Sequence, residues 1–130
     1  MVSDLYSLHF EDRTEYLYAC VQADVINLAI AVQYINETMA HVRQTGATKM
    51  LFVRETPGMV SATEYSIVCS IIVNMIPRNV RVALVDRSPA HRTVVRIINA
   101  EAKEKDRDIR AFEEFDEAEA WLLDTTRAKL

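Results

Sequence analysis

Hydrophobic residues in the middle of the chain fall into two short runs on either side of one helix-length run. Residues 49–54 and 81–86 are rich in aliphatic and β-branched residues, and 61–76 follows a turn that contains Pro57 and Gly58. Two apolar strands joined through one helix are typical of a parallel pair connected by a right-handed crossover. This unit is the centre of the predicted fold.

The pattern of the first third predicts two strands and a long helix. Residues 5–10 alternate between apolar and polar, residues 16–21 are aromatic and β-branched, and the short polar turn between them makes the pair antiparallel. Asp24 is a suitable N-cap for a helix that ends before Gly46, a residue that tolerates the left-handed conformation past a helix end. The expected inward stripe of this helix consists of Leu28, Val32, Ile35, Met39 and Val42.

After the central unit, the pattern predicts a third helix, a short strand and a last helix. Ser88 is a suitable N-cap and Pro89 fits the first helical position. Residues 109–112 are predicted as the fifth strand, and Asp116 as the cap of a last helix preceded by the apolar Phe115. The order predicts an α/β fold with a mixed, mainly parallel five-stranded sheet and about four helices.

The helix predicted over 61–76 is apolar around most of its circumference. A crossover helix on one sheet should bury one stripe and show charges on the opposite face, yet Glu64 is its only charged residue. A neighbouring helix could cover the excess; alternatively, an exposed apolar patch could meet a second protein, a second copy of the chain or a lipid-like ligand. The residues expected to form such an interface are Tyr65, Cys69, Ile72, Val73 and Ile76.

Composition and charge narrow the classes of function. The 130 residues are 50% hydrophobic and 26% charged, which is typical of one globular domain, here expected to span 1–130. A net charge of −4 argues against nucleic-acid binding, which needs a basic face. Cys20 and Cys69 lie in apolar runs without metal-binding spacing, which favours buried thiols in a reducing compartment and no metal site. The pattern also lacks a secretory signal and a membrane span, so the expected location is cytoplasmic.

The segment 110–122 reads Arg-Ala-Phe-Glu-Glu-Phe-Asp-Glu-Ala-Glu-Ala-Trp-Leu. It resembles the end of the STAS domains, named for sulfate transporters and anti-sigma-factor antagonists, in their sporulation stage II AA-like branch. There, a last strand ending in Phe is followed by a short helix with a Glu-Ala-x-Ala-Trp-Leu pattern. The resemblance implies a STAS-like fold and a small regulatory or ligand-sensing domain rather than an enzyme.

The resemblance also implies a phosphorylated serine between the third strand and the following helix. Ser61 is the serine nearest the helix start here, although the Asp-Ser-Ser-Gly context of the family is absent. Ser61 is therefore a candidate phosphoacceptor. The alternative is a plain N-cap, because Glu64 follows three residues later and completes a capping box.

Polar residues at the predicted carboxyl edge of the parallel strands are the candidates for ligand binding. Strands ending near Arg54 and Asp86 each lead into a helix at this edge, where α/β sheets usually bind ligands. The residues expected to converge on an anion are Arg54, Ser61, Arg87, Ser88, His91 and Arg92. The alternative is a set of ordinary surface charges, with Arg87 paired to Glu55 or Asp86.

The pattern does not favour catalysis. Ser88, His91 and Asp86 are catalytic residue types within one turn of chain, but no nucleophile elbow surrounds the serine and no nucleotide-binding glycine pattern occurs. We therefore expect no catalytic residues and no cofactor. The expected function is that of a regulatory, protein-interaction domain that self-associates as a homodimer through the helix over 61–76. The alternative is a module that binds a lipid-like or small anionic ligand.

Overall fold

The computed structural model of the protein describes residues 5–57 and 61–124. In chain order the elements are β1 (Ser7–Asp12), β2 (Leu17–Gln22), α1 (Leu28–Thr45), β3 (Lys49–Glu55), α2 (Ala62–Met75), β4 (Arg81–Asp86), α3 (His91–Glu104), β5 (Ile109–Phe112) and α4 (Phe115–Leu123). The strands lie side by side in the order β1-β2-β3-β4-β5, with the first pair antiparallel and every later pair parallel. The predicted α/β fold with a mixed, mainly parallel five-stranded sheet and four helices is confirmed.

Two layers of helices enclose the sheet. The crossover helices α1, α2 and α3 pack on one face, where they meet side chains such as Phe52 and Leu84. α4 covers the other face, where Leu122 packs near Val53. Because successive residues of a strand point to opposite faces, β3 and β4 bury their side chains in both layers.

The first helix begins later than the sequence predicts. Asn27 is its N-cap, with a side-chain oxygen that accepts a hydrogen bond from the Ile30 N–H at 2.9 Å, whereas Asp24 lies outside the helix. Ile26 is buried in the core between these two polar residues, so the chain places that side chain before it enters the helix. The end of the helix is as predicted, since Gly46 has a left-handed φ of 71°.

The starts of α3 and α4 also differ from the prediction. Ala90 is the N-cap residue of α3. Ser88 does not cap this helix because it is buried in the preceding turn, where its N–H donates to the Asp86 carboxylate at 2.8 Å. α4 begins at Phe115, one residue before the predicted Asp116 cap, and the Phe115 ring packs near Tyr18.

The buried face of α1 is rotated relative to the predicted stripe. The last three residues of that stripe are buried, whereas the first two, Leu28 and Val32, are half-buried. Tyr34 and Thr38 are buried in their place. The hydroxyl of Tyr34 has a polar partner in the interior, which is why a tyrosine can be enclosed there.

The five residues predicted to form an exposed interface on α2 lie in the core of the same chain. Tyr65, Cys69, Ile72, Val73 and Ile76 are each at most 7% exposed. The prediction of an apolar patch made by these side chains is therefore wrong. The reason is the position of α2, because the sequential strand order places it between α1 and α3, both of which contact it, and the sheet covers a third side.

Candidate functional site

The carboxyl ends of β3 and β4 carry a group of buried polar side chains. Arg54, Thr56, Asp86 and Ser88 are between 1% and 6% exposed. Arg54 and Asp86 point toward the layer of α1, α2 and α3, because Phe52 and Leu84, two residues earlier in each strand, pack there. Arg54 and Asp86 are also direct neighbours across the parallel β3–β4 pair, so their side chains lie next to each other.

A buried ion pair forms the centre of this group. Arg54 Nη1 donates to Asp86 Oδ2, and Arg54 Nε donates to the hydroxyl of Tyr34 on α1 at 2.9 Å. We call Tyr34, Arg54 and Asp86 the Arg54 triad. It links one helix to two strands, and it places a compensated charge where an unpaired one would be very costly.

Electrostatics hold Arg54 charged and Tyr34 neutral. Burial lowers the pKa of Arg54, but the neighbouring Tyr34 and Asp86 outweigh that effect and hold this pKa above its ordinary value. Burial raises the pKa of Tyr34, which keeps its hydroxyl neutral. Arg54 and Tyr34 therefore do not exchange protons near neutral pH, and the triad is suited to positioning the two strand ends.

Three buried polar atoms beside the triad have no hydrogen-bond partner among the described residues. They are Arg54 Nη2, Thr56 Oγ1 and Ser88 Oγ. Each such atom costs about 1–3 kcal/mol relative to a satisfied one. Buried hydrogen-bonding groups without a partner among the described residues thus lie at the carboxyl ends of β3 and β4.

The exposed cations predicted to bind an anion here are paired with carboxylates of the same chain. Arg87 Nη1 lies 3.3 Å from a Glu55 carboxylate oxygen. His91 Nε2 lies 2.9 Å and Arg92 Nε 3.8 Å from the same oxygen of Glu113. With Arg54 bound to Asp86, the structure does not gather these cations into a region of uncompensated positive charge. The alternative in which Arg87 pairs with Glu55 matches the structure.

Ser61 and Ser88 do not join this arrangement as ligand groups. Ser61 is exposed and is the N-cap of α2, with its Oγ accepting a hydrogen bond from the Glu64 N–H at 3.2 Å. The Nδ1 atom of His91 lies 3.0 Å from the backbone oxygen of Ser88, not from its hydroxyl. The Ser88 hydroxyl makes no hydrogen bond to His91, and Asp86 is bound to Arg54, so the trio lacks both hydrogen bonds of a catalytic triad.

The exposed side of α2 is uncharged. Its exposed side chains in the described structure are Thr63, Ser66, Ile67 and Asn74, and Ser70 beside them is half-buried. Ile67 is 40% exposed and is one of the few large apolar side chains on the described surface. We call these five residues the outer face of α2. The five side chains predicted for an interface are not part of it.

A basic groove lies along the outer edge of β5, at the other end of the sheet. It encloses about 540 Å³ and is lined by residues of α3, the α3–β5 turn, β5 and α4, among them Lys103, Arg107, Arg110 and Trp121. Sequence reasoning did not identify it, because 103–110 alternates in charge and resembles a solvated turn. Trp121 reaches this edge only through the packing of α4 on the sheet.

The cavity beneath α2 is small. It encloses about 20 Å³ between α1, α2 and the sheet, and its lining includes Ile35, Phe52 and Ile72. This volume is about that of one water molecule, far below the several hundred Å³ of a typical ligand pocket. The cavity has no room for a lipid chain.

No protein-family model matches this chain, and no curated protein was found to be similar to it in sequence. Within 5–57 and 61–124, no helix combines the length and the apolar character that crossing a bilayer requires. The His, Cys, Asp and Glu side chains of the same residues form no group of three or more that could hold a metal ion. The geometry of the chain itself therefore has to carry any functional conclusion.

Proposed function

We propose that this chain is a small, non-catalytic regulatory domain of the STAS-like type that acts through protein–protein contact, with the outer face of α2 forming a weak symmetric homodimer. A cytoplasmic location belongs to the same proposal. The observation that carries it is the absence of charge among the exposed described side chains of α2, in a chain that is 26% charged.

The composition of the outer face of α2 suits a helix-to-helix contact. Interface cores are depleted in charged residues, and a two-fold contact brings each residue near its own counterpart, so an uncharged face avoids like-charge repulsion. Serine and threonine allow two helices to approach closely, and Ile67 supplies an apolar centre. Asn74 already donates to the Ser70 carbonyl oxygen at 2.7 Å, which partly satisfies its polar groups.

The size of this face predicts a weak complex. A helix of 14 residues is about 21 Å long, so one face of it buries less than the roughly 800 Å² per partner of a standard interface. We therefore expect a dissociation constant of about 10 µM to 1 mM. An equilibrium in this range would respond to the concentration of the protein or to modification.

Ser61 is the residue through which this equilibrium could be regulated. It is exposed and lies at the N-terminal end of the outer face of α2. A phosphate on its hydroxyl would add about −1.5 to −2 charges at a face that is otherwise neutral, next to Glu64. We infer that phosphorylation of Ser61 would weaken self-association.

Sedimentation equilibrium tests the proposal, with protein from about 10 µM to about 1 mM. The average mass should rise with concentration for the natural chain and stay at the monomer value for Ile67→Glu. Val25→Glu is the matched control, because Val25 is 61% exposed and lies outside α2, in the β2–α1 connection, and this variant should dimerise normally. Ser61→Asp keeps a capping side chain and adds one charge, so it should weaken the dimer without unfolding the helix.

A chain that stays monomeric at the highest concentration would refute self-association through α2. Equal weakening by Ile67→Glu and Val25→Glu would also refute it, because the effect would then come from added charge alone. A dimer that survives Ile67→Glu would place the contact elsewhere on the molecule.

A further inference from the structure

We propose that the β5 groove, defined by Asn99, Lys103, Arg107, Asp108, Arg110 and Trp121, binds a small anion with at least two negative charges. The groove lies on the edge of the sheet, away from the outer face of α2. The proposal is therefore independent of the proposed dimer.

The size of the β5 groove fits a small molecule. Its volume of about 540 Å³ lies within the range of roughly 300–1,000 Å³ that is usual for ligand pockets. Four consecutive elements contribute to it, namely α3, the turn after it, β5 and α4. Side chains from separate parts of the chain thus face one common space.

The charge of the β5 groove is opposite to that of the whole chain. Lys103, Arg107 and Arg110 line it against a single carboxylate, Asp108. That carboxylate is already bound by Arg81 Nη1, at 3.0 and 3.2 Å from its two oxygens. In a chain with a net charge of −4, this is a local concentration of positive charge, which attracts anions.

Two cations of the β5 groove, unlike those at the carboxyl edge, are not paired with a carboxylate of the described chain and are available to bind a ligand. Lys103 and Arg110 are exposed and make no ion pair with any residue in the described part of the chain. The Arg110 guanidinium lies over the ring of Phe112, at 5.7 Å from its centroid. Arg107 uses one nitrogen, Nη1, to donate to the Ile76 carbonyl oxygen, which fixes its position. A ligand would not have to displace an existing carboxylate from Lys103 or Arg110.

Two N–H groups of residues that line the groove have no partner within the described part of the chain. Trp121 Nε1 and Arg107 Nε are buried and have no hydrogen-bond acceptor among the described residues. The Trp121 ring is held by the Arg81 guanidinium, which stacks 3.7 Å from its centroid. The exposed cations Lys103 and Arg110 match the oxygens of a phosphate or a carboxylate.

The same edge excludes an extended peptide as the ligand. Asn99 on α3 accepts from the Ala111 N–H at 2.7 Å and donates to the Ala111 carbonyl oxygen at 3.2 Å. These are the outward backbone groups that an added β-strand would have to bind. A compact anion is compatible with these two Asn99–Ala111 hydrogen bonds, whereas strand addition along β5 is not.

Trp121 makes the test direct, because it is the only tryptophan of the chain and it lines the β5 groove. Titration with inorganic pyrophosphate and, separately, with citrate at low ionic strength should change its fluorescence in a saturable way below about 10 mM. The two anions distinguish phosphate from carboxylate preference. Calorimetric titration of the same samples should give the same dissociation constant.

A double variant and one control distinguish specific binding in the β5 groove from nonspecific electrostatic attraction of anions. The double variant Lys103→Gln/Arg110→Gln should weaken binding at least about fivefold and keep its circular dichroism spectrum, since neither side chain is buried. Arg43→Gln removes an equal kind of charge from the exposed end of α1 and should leave the affinity unchanged within about twofold. Failure of both anions to bind, or an equal loss in the control, would overturn the proposal. Neither result bears on the dimer, which is measured by sedimentation.

Discussion

Removal of one partner from the buried ion pair Arg54–Asp86 should destabilise the protein severely. Asp86→Asn keeps the shape of the side chain and the acceptor for the Ser88 N–H, so the main loss is the negative charge beside Arg54. Arg54 is 2% exposed, and an isolated buried guanidinium cannot be hydrated. Breaking a buried pair in this way costs about 3–5 kcal/mol. A domain of this size has about 5–15 kcal/mol of stability in total, so the variant should lose a large part of it.

A double-mutant cycle isolates the interaction from the rest. Arg54→Met alone leaves Asp86 buried without its cation and should also cost about 3–5 kcal/mol. The double variant contains no unpaired buried charge. Its loss in the free energy of unfolding should therefore be smaller than the sum of the two single losses, by about 2 kcal/mol or more. Tyr34→Phe removes one neutral acceptor from Arg54 Nε and should cost about 1–3 kcal/mol, less than either charge variant.

Urea unfolding followed by circular dichroism and by the fluorescence of Trp121 measures these losses. The matched control is the exposed pair of Glu55 and Arg87, whose side chains are 31% and 50% exposed. Glu55→Gln and Arg87→Met should each change the free energy of unfolding by less than about 1 kcal/mol. If the Arg54 and Asp86 variants add within about 0.5 kcal/mol, the pair is not coupled and its proposed role is refuted.

Two further predictions concern the β5 edge and alkaline stability. Asn99→Ala removes both hydrogen bonds to Ala111 and should lower the free energy of unfolding by about 1–3 kcal/mol. Because it opens a strand edge, it should also increase light scattering on storage. Unchanged stability and scattering would show that Asn99 does not protect the edge. Burial raises the pKa of the Cys69 thiol to about 12. In the unfolded chain the same thiol has a pKa of about 8.5. The contribution of this thiol to stability is therefore complete below about pH 8.5 and decreases as the pH rises from there to about 12. The free energy of unfolding should therefore fall above about pH 9, by up to about 1.4 kcal/mol per pH unit for this group, and Cys69→Ala should reduce that slope. An equal slope in natural chain and variant would contradict the assignment.

Two features that depend on neighbouring residues in the chain were predictable, whereas the caps expected at Asp24, Ser88 and Asp116 and the features that depend on the whole fold were not. The Gly46 end of α1 and the Ser61 cap of α2 follow from local backbone chemistry, and both are confirmed. The burial of α2 depends on its position between two other helices. That position follows from the order of all five strands, so the apolar circumference of the helix alone could not distinguish coverage by the chain from coverage by a partner.

The candidate site shows the same division. The sequence placed Arg54 and Asp86 at the same edge, but their pairing depends on the β3–β4 register, in which they are direct neighbours. Tyr34 lies outside the predicted stripe of its helix and gave no signal of its own. The β5 groove depends on Lys103 and Trp121, which are 18 positions apart in the sequence. These two residues line one common space only once α4 has packed on the sheet.

The exposed side of α2 differs in kind from the exposed side of α3, although both helices lie in the same layer and both have 14 residues. α3 uses its exposed positions for charged residues such as Arg92, Arg96 and Lys103, which is the usual solvated face of an amphipathic helix. A charged residue would cost α2 equally little at its own exposed positions, because no described element packs over them. The exposed positions of α2 share with the core of an interface the lack of charged residues, and this contrast with α3 is what supports the proposed contact.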